Sequence, residues 1–207
     1  MNLYDLKVEI KFRLYGLFGI PIYHTVSSKK HAYTWFEVAK NGSRTIHSIL
    51  NEQAPSDYKK RDHPYFKSKH KDRFKFAIIR NPWDRFVSCY TDKVLKKKLY
   101  PSCWDKDLDY FIDFVAKHDL RYCNEHFRLQ TSLFPKDDLD FVGRMENYDE
   151  DLKHIMACLN IESEIPHRNK STRTHYSEYY NEERIQRVAL LYADDIEFGE
   201  YEFEANK

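Results

Sequence analysis

Short apolar runs separated by polar turns predict the β-strands of this chain. Residues 33–38 are aromatic and β-branched, and they end at the polar turn Lys40-Asn41-Gly42. The run Phe74–Ile79 predicts a second buried strand, and residues 139–142 predict another. The uncharged stretch at residues 14–23 is too short for a membrane span and lacks the cleavage site of a signal peptide. We therefore expect a buried strand there as well.

Apolar residues at helical spacing follow these runs. Ile46, Ile49 and Leu50 stand at positions i, i+3 and i+4 and predict a helix directly after the polar turn. The tetrapeptide Asn81-Pro82-Trp83-Asp84 is typical of a helix start, with Asn as the cap and Pro at the first helical position. That helix carries its apolar residues on one face: Trp83, Phe86, Val87, Tyr90 and Val94. Further helices are predicted at residues 108–117, 148–159 and 182–192.

The alternation of strands and helices predicts an α/β fold whose central sheet is mainly parallel and flanked by helices. The 207 residues contain no internal repeat and no linker, which predicts a single domain over residues 1–207. The four cysteines include no C-x-x-C pair, and no clustered metal-ligand motif is visible. We therefore expect reduced thiols, no bound metal, no transmembrane segment and a cytoplasmic location.

Charge is balanced over the whole chain but not along it. The 34 Lys and Arg against 33 Asp and Glu give a net charge of +1, which argues against a tail-driven nucleic-acid binder. Residues 55–100, however, carry 14 basic and 5 acidic residues, a local net charge of +9. A basic segment on a neutral protein predicts a focused site for an anionic ligand.

The polar turn after the first strand has the composition of an anion-binding loop. A strand-to-helix turn points backbone N–H groups and the positive end of the helix at whatever lies above it. Gly42 lets the backbone approach an anion closely. Hydroxyl donors and positive charge come from the rest of the loop: Lys40, Asn41, Ser43, Arg44 and Thr45. The Walker A pattern is absent, and taken alone this loop is also consistent with an ordinary capped turn.

A second anion-binding pattern begins where the strand Phe74–Ile79 ends. A guanidinium at the end of a buried strand, as at Arg80, needs an anionic partner. Ser88 lies eight residues later, two helical turns on, and returns to the same side as Arg80. An arginine fork with a hydroxyl suits a terminal phosphate, whereas a structural ion pair between Arg80 and Asp84 is the alternative.

Together the two patterns resemble the sulfotransferases that use 3′-phosphoadenosine 5′-phosphosulfate (PAPS). The segment FAIIRNPWDRFVSCYTDK is similar to the carbohydrate sulfotransferases of the family 2 branch and their bacterial relatives. Four more segments agree in order: NEHFRLQ, FVGRMEN, YADD and FGEY. The resemblance spans about residues 35–203, with Ala39 where many relatives have proline. The Gly-rich phosphate loop of the small-molecule enzymes is replaced by Asn169-Lys170-Ser171-Thr172-Arg173.

The resemblance implies a P-loop-like, three-layer fold and transfer of a sulfuryl group from PAPS to a hydroxyl of a carbohydrate or glycoconjugate. The Lys40 loop would hold the 5′-phosphosulfate, and Arg80 with Ser88 would hold the 3′-phosphate, with Lys170 and Arg173 as further nucleotide contacts. Lys40 would stabilise the charge that grows on the leaving phosphate of the product, adenosine 3′,5′-bisphosphate. No metal is required.

The attacking hydroxyl needs a base, and the resemblance points to two histidines. Related enzymes keep a catalytic histidine shortly before the strand that ends in the arginine, where His63 lies in a stretch, 61–64, that we expect to be flexible. His126 is the rival. If neither histidine is the base, Glu37 and Glu125 are the nearest carboxylate candidates by sequence. Two other functions remain open: a P-loop-type small-molecule kinase, and a nucleic-acid-binding domain that uses the basic, aromatic residues 58–73.

Overall fold

The computed structural model describes residues 3–53, 55, 57–163, 165 and 173–205, and for residues 3–8 and 61–63 it describes the backbone alone. In chain order the helices and strands are α1 (Leu3–Leu17), β1 (Ile22–Ser28), β2 (Tyr33–Phe36), α2 (Ser43–Gln53), β3 (Lys59–Pro64), β4 (Phe74–Ile79), α3 (Pro82–Cys89), α4 (Leu108–Ala116), β5 (Phe141–Arg144), α5 (Tyr148–Cys158), α6 (Glu182–Leu191) and α7 (Ala193–Gly199).

These elements fall into two compact units. The sheet unit consists of the described residues of Tyr15–Ile79 and Leu133–Ser171, and it contains all five strands with α2 and α5. The helical unit consists of the described residues of Met1–Leu14, Arg80–Ser132 and Thr172–Lys207, and it contains α3, α4, α6, α7 and most of α1. Each unit is built from segments that are separated in the chain.

The five strands form one sheet in the order β3-β1-β2-β4-β5. The pairs β2–β4 and β4–β5 are parallel, and β1 is antiparallel to both β2 and β3. Because β3 opposes β1, it runs in the same direction as β2. All strands except β1 therefore direct their carboxyl ends to one edge, which we call the carboxyl edge. The predicted α/β class with a mainly parallel central sheet is confirmed.

One face of the sheet is covered by α2 and α5. Alternate strand residues such as Trp35 and Ile78 point into this core, where they pack with Ile46 and Ile49 of α2 and with Ile155 of α5. Each fully buried aliphatic side chain contributes roughly 1.5–3 kcal/mol to stability. This core fixes the start of α2, and with it the loop that leads from β2 into the helix.

The helical unit is organised around α3 and its continuation, a π-helical segment at Tyr90–Lys96. Asn81 caps α3, since its side chain accepts a hydrogen bond from the backbone N–H of Trp83 at 3.1 Å. This confirms the predicted helix start. Phe86 of α3 packs on Phe111 of α4, with ring centroids 5.0 Å apart.

Three predicted elements differ from the structure. Residues 14–23 are not a buried strand: α1 runs to Leu17, β1 begins only at Ile22, and Leu17 and Phe18 are 81% and 78% exposed. Gly19, at φ +64°, ends the helix in a left-handed conformation that favours glycine. Residues 61–64 belong to β3, because pairing with β1 orders them. The late strand begins two residues beyond 139, at Phe141.

Candidate active site

The loop between β2 and α2 has the backbone of a close-approach turn. Lys40 has a φ of +77° and Gly42 a φ of +72°, both in the left-handed region. A Cβ on Gly42 would lie 2.6 Å from a ring carbon of Tyr148, so no side chain fits there without displacing that ring. The Tyr148 hydroxyl donates a hydrogen bond to the carbonyl oxygen of Gly42 at 2.9 Å. The loop is therefore held in its shape by α5, which begins with Tyr148.

Other residues of the loop anchor it to the sheet and to α2. The Asn41 side chain is buried and donates to the carbonyl oxygen of Ile78 at 2.7 Å, which ties the loop to β4. Ser43, the first residue of α2, donates to the carbonyl oxygen of Val38 at 3.3 Å. Thr45 is buried, whereas Arg44 is exposed and Lys40 is half-buried. Asn41 and Thr45 thus shape the loop from inside, and the first N–H groups of α2 stand at its end.

Arg80 follows β4 directly and belongs to the helical unit. Its Nε and Nη2 lie 2.7 and 2.6 Å from Oδ2 of Asp84, one helical turn on, so the predicted alternative of an Arg80–Asp84 ion pair is present here. Arg173 contacts the other oxygen of Asp84. Ser88 lies a further turn along the same face of α3 and is half-buried. Two arginines are therefore arranged around one anion, which in this structure is the Asp84 carboxylate.

The backbone of Arg80 is fixed by Gln130. The Gln130 amide oxygen accepts from the Arg80 N–H at 3.0 Å, and its Nε2 donates to the Arg80 carbonyl oxygen at 2.9 Å. Gln130 and Thr131 in turn donate backbone N–H groups to Asp195 at 2.8 and 2.9 Å. Burial raises the pKa of Asp195. Lys170, the other predicted nucleotide contact near Arg173, lies outside the described residues.

The two predicted histidines lie in different units. His63 is in β3, with its backbone opposite Tyr23, and only its backbone is described. His126, in the helical unit, lies 2.7 Å through its Nδ1 from the Asn124 amide oxygen, which also accepts the His126 backbone N–H at 3.1 Å. An amide oxygen only accepts, so Nδ1 of His126 carries a proton and the lone pair of the neutral ring is on Nε2.

A cluster of titratable side chains surrounds Glu37, the residue that follows β2 at the carboxyl edge. Its members, which we call the Glu37 cluster, are His24, Glu37, His47, Tyr58 and Lys60. Glu37 Oε2 lies 3.0 Å from His24 Nε2 and 3.1 Å from Lys60 Nζ, and Glu37 Oε1 lies 3.0 Å from His47 Nε2. The Tyr58 hydroxyl contacts Nδ1 of His47.

The Glu37 carboxylate is strongly stabilised in its charged form. Burial alone would raise the pKa of Glu37, but hydrogen bonds and charge from His24 and His47 more than offset it and hold that pKa well below its usual range. Glu37 is therefore a weak base. The cluster was not predicted, because its members meet only through the register of β1 against β2 and through the first turns of α2.

Comparison with known proteins identifies the family. The profile of the sulfotransferase family, of the family 2 type, matches residues 23–202. The chain belongs to the sulfotransferase family. The resemblance drawn from the two anion-binding patterns is thereby confirmed, whereas a bacterial type stays a prediction. No curated protein and no solved structure gives a significant match to this sulfotransferase.

The described residues contain neither a membrane-spanning helix nor a metal-binding cluster. None of the described helices is long and apolar enough to cross a membrane. Within the same described part of this sulfotransferase, no group of three or more His, Cys, Asp or Glu side chains is arranged to hold a metal ion.

Proposed function

We propose that this sulfotransferase takes its sulfuryl group from PAPS and transfers it to a hydroxyl of a carbohydrate or glycoconjugate. The observation that carries the proposal is the loop between β2 and α2. Gly42 lies so close to Tyr148 that a side chain would displace that ring, and α2 begins at the next residue. Such a loop offers N–H groups and the positive end of a helix to an anion. A phosphosulfate is an anion of this kind.

The nucleotide roles follow from this arrangement. We assign the 5′-phosphosulfate to the loop residues Lys40, Asn41, Gly42, Ser43, Arg44 and Thr45. We assign the 3′-phosphate to Arg80, Ser88, Lys170 and Arg173. Arg80 and Arg173 already share one carboxylate, and a phosphate offers the same acceptor atoms with more charge. The predicted reaction requires no metal.

Catalysis would rest on Lys40 and on a base. As the S–O bond breaks, negative charge grows on the leaving phosphate, so a Lys40 ammonium near it stabilises the transition state more than the ground state. His63 and His126 are the two proposed bases from the sequence. The strand of His63 ends at the same edge as β2, and His126 presents the lone pair of its neutral ring on Nε2.

Binding and transfer test the proposal separately. Calorimetric titration of the full chain with adenosine 3′,5′-bisphosphate should give saturable binding, whereas ATP and a short RNA should give none. Tight binding of ATP instead would favour the kinase, and tight binding of the RNA would favour the nucleic-acid-binding domain. Labelled PAPS with a panel of glycans, scored by which glycan becomes labelled, then identifies the acceptor. Hydrolysis of PAPS without labelling of any glycan in a broad panel would argue against a carbohydrate acceptor.

A further inference from the structure

Two of the segments that resemble sulfotransferases end at a buried polar residue. NEHFRLQ ends at Gln130, and YADD ends at Asp195 in the first turn of α7. Both residues belong to the helical unit, as Arg80 does. Gln130 is 1% exposed and Asp195 is 2% exposed, so neither side chain can reach a substrate directly. Any part that they take in the reaction must therefore pass through the residues that they contact.

The Gln130 side chain holds both hydrogen-bonding groups of the Arg80 backbone. Its amide oxygen accepts from the Arg80 N–H at 3.0 Å, and its Nε2 donates to the Arg80 carbonyl oxygen at 2.9 Å. Because one planar amide binds both groups, the Arg80 backbone cannot shift or rotate without straining a hydrogen bond. Arg80 lies between the end of β4 and Asn81, the cap of α3. This clamp therefore sets the direction in which the Arg80 side chain leaves the backbone.

Asp195 in turn holds the backbone from which Gln130 reaches Arg80. Its Oδ2 accepts the Gln130 N–H at 2.8 Å, and its Oδ1 accepts the N–H and the hydroxyl of Thr131, each at 2.9 Å. Burying a carboxylate costs free energy, and these three hydrogen bonds offset part of that cost. An apolar residue in place of Asp195 would take this acceptor away from the Gln130 N–H. The contacts thus form a chain that runs from Asp195 through Gln130 to Arg80.

We propose that Gln130, held by Asp195, positions Arg80 for the 3′-phosphate and so determines the preference for a nucleotide that carries one. The inference rests on the proposed function, which assigns the 3′-phosphate to Arg80. Gln130 and Asp195 are positioning residues that act through Arg80. A charge-assisted hydrogen bond weakens as its distance and angle depart from the optimum. A displaced Arg80 should therefore lose affinity for the 3′-phosphate, while the rest of the nucleotide is bound as before.

The test compares the Kd of adenosine 3′,5′-bisphosphate with that of adenosine 5′-phosphate, which lacks the 3′-phosphate. In Gln130→Met the Kd of the bisphosphate should rise by roughly 3- to 30-fold, less than in Arg80→Ala, because a misplaced guanidinium keeps part of its bond. The Kd of the 5′-phosphate should stay as in wild type, since it offers no 3′-phosphate to Arg80. A merely structural loss would instead raise both Kd values by the same factor.

Thr131→Val is the matched control at the same carboxylate. It removes the hydroxyl bond to Asp195 and leaves the bonds of Gln130 in place, so the ratio of the two Kd values should stay as in wild type. Asp195→Asn is the milder change to the chain of contacts, because the amide keeps the size of the side chain and one acceptor oxygen. It should move the ratio in the same direction as Gln130→Met but by a smaller factor, and it carries the test if Gln130→Met does not fold.

A double variant shows whether Gln130 acts through Arg80. Adding Gln130→Met to Arg80→Ala should raise the Kd of the bisphosphate no further, because the guanidinium that Gln130 positions is already absent. A further rise in the double variant would overturn the inference. Equal rises in both Kd values in Gln130→Met, or in Asp195→Asn, would also overturn it, because the two residues would then serve stability alone.

The wild-type protein separates this inference from the proposed function. If wild type bound neither nucleotide, or bound both equally well, the assignment of the 3′-phosphate would fail and the proposed function with it. If wild type preferred the bisphosphate and Arg80→Ala lost that preference while Gln130→Met kept it, only the positioning role of Gln130 and Asp195 would fail.

Discussion

The ring of Tyr148 occupies the space that a side chain on Gly42 would need, and its hydroxyl holds the Gly42 carbonyl oxygen at 2.9 Å. The two residues come from distant parts of the sequence, one from the loop after β2 and the other from the first turn of α5. Their contact links the shape of the proposed phosphosulfate loop to the packing of α5 on the sheet.

Gly42→Ala should destabilise the protein and reduce nucleotide binding. A left-handed residue other than glycine costs roughly 1–2 kcal/mol, and the new methyl group would also displace the Tyr148 ring. Gly19→Ala is the matched control, because Gly19 has a similar φ of +64° but no atom within 4 Å of the added Cβ. Urea unfolding of both variants measures the difference. Equal losses of unfolding free energy in Gly42→Ala and Gly19→Ala would mean that the Tyr148 ring moves aside at little energetic cost.

Tyr148→Phe should change the pH dependence of the free energy of unfolding at alkaline pH. Burial raises the pKa of Tyr148 from 10 to about 12, so the folded protein retains this proton over a range where the unfolded chain has lost it. The contribution of the protonated Tyr148 hydroxyl to the free energy of unfolding is therefore full below pH 10, and it is lost as the pH rises toward 12. The slope of unfolding free energy against pH should be less negative in Tyr148→Phe over that interval. The same slope in Tyr148→Phe as in wild type would mean that the pKa of Tyr148 is not raised in the folded protein.

Arg80→Ala and Ser88→Ala should weaken the binding of adenosine 3′,5′-bisphosphate. A hydrogen bond to a charged group contributes about 1.5–3 kcal/mol, so the loss for Arg80→Ala corresponds to roughly 10- to 150-fold in Kd. Arg121→Ala, which removes an exposed arginine paired with Asp119, is the control and should bind normally. Calorimetry gives all three values. Wild-type affinity in Arg80→Ala would remove Arg80 from the phosphate site.

Lys40→Ala should reduce turnover more than affinity. The charge that Lys40 is proposed to stabilise grows only during the reaction, so the ground-state complex loses less than the transition state. Single-turnover kinetics with labelled PAPS, beside calorimetry, separate the two effects. Lys30→Ala, a surface lysine on the turn after β1, serves as the control. A loss confined to affinity would assign Lys40 to binding alone.

Local signals in the sequence were sufficient for much of this fold. The cap at Asn81, the proline after it and the apolar spacing of Ile46 and Ile49 each specify a helix within a few residues, and the helices begin where they predict. The anion-binding loop is likewise local, since a strand, a glycine and a helix follow one another directly.

Features that depend on distant pairing were not predicted. Residues Lys59–Pro64 are polar and lack the alternation of a strand, and they are ordered by β1. To predict the Glu37 cluster, one would need to know that His24 faces Glu37 across the sheet and that His47 of α2 contacts Glu37. The contact between Tyr148 and Gly42 has the same origin. Sequence patterns identified chemically capable residues, but not which of them the register brings together.

The interleaving of the two units has a consequence for the nascent chain. As the ribosome releases β4, its parallel neighbour β5 has not been made, because the intervening segment Arg80–Ser132 belongs to the helical unit. Until then β4 presents an unpaired, apolar strand edge, which is a template for aggregation. Truncated chains that stop before β5 should therefore collect in inclusion bodies, whereas those that lose only the last few residues should not.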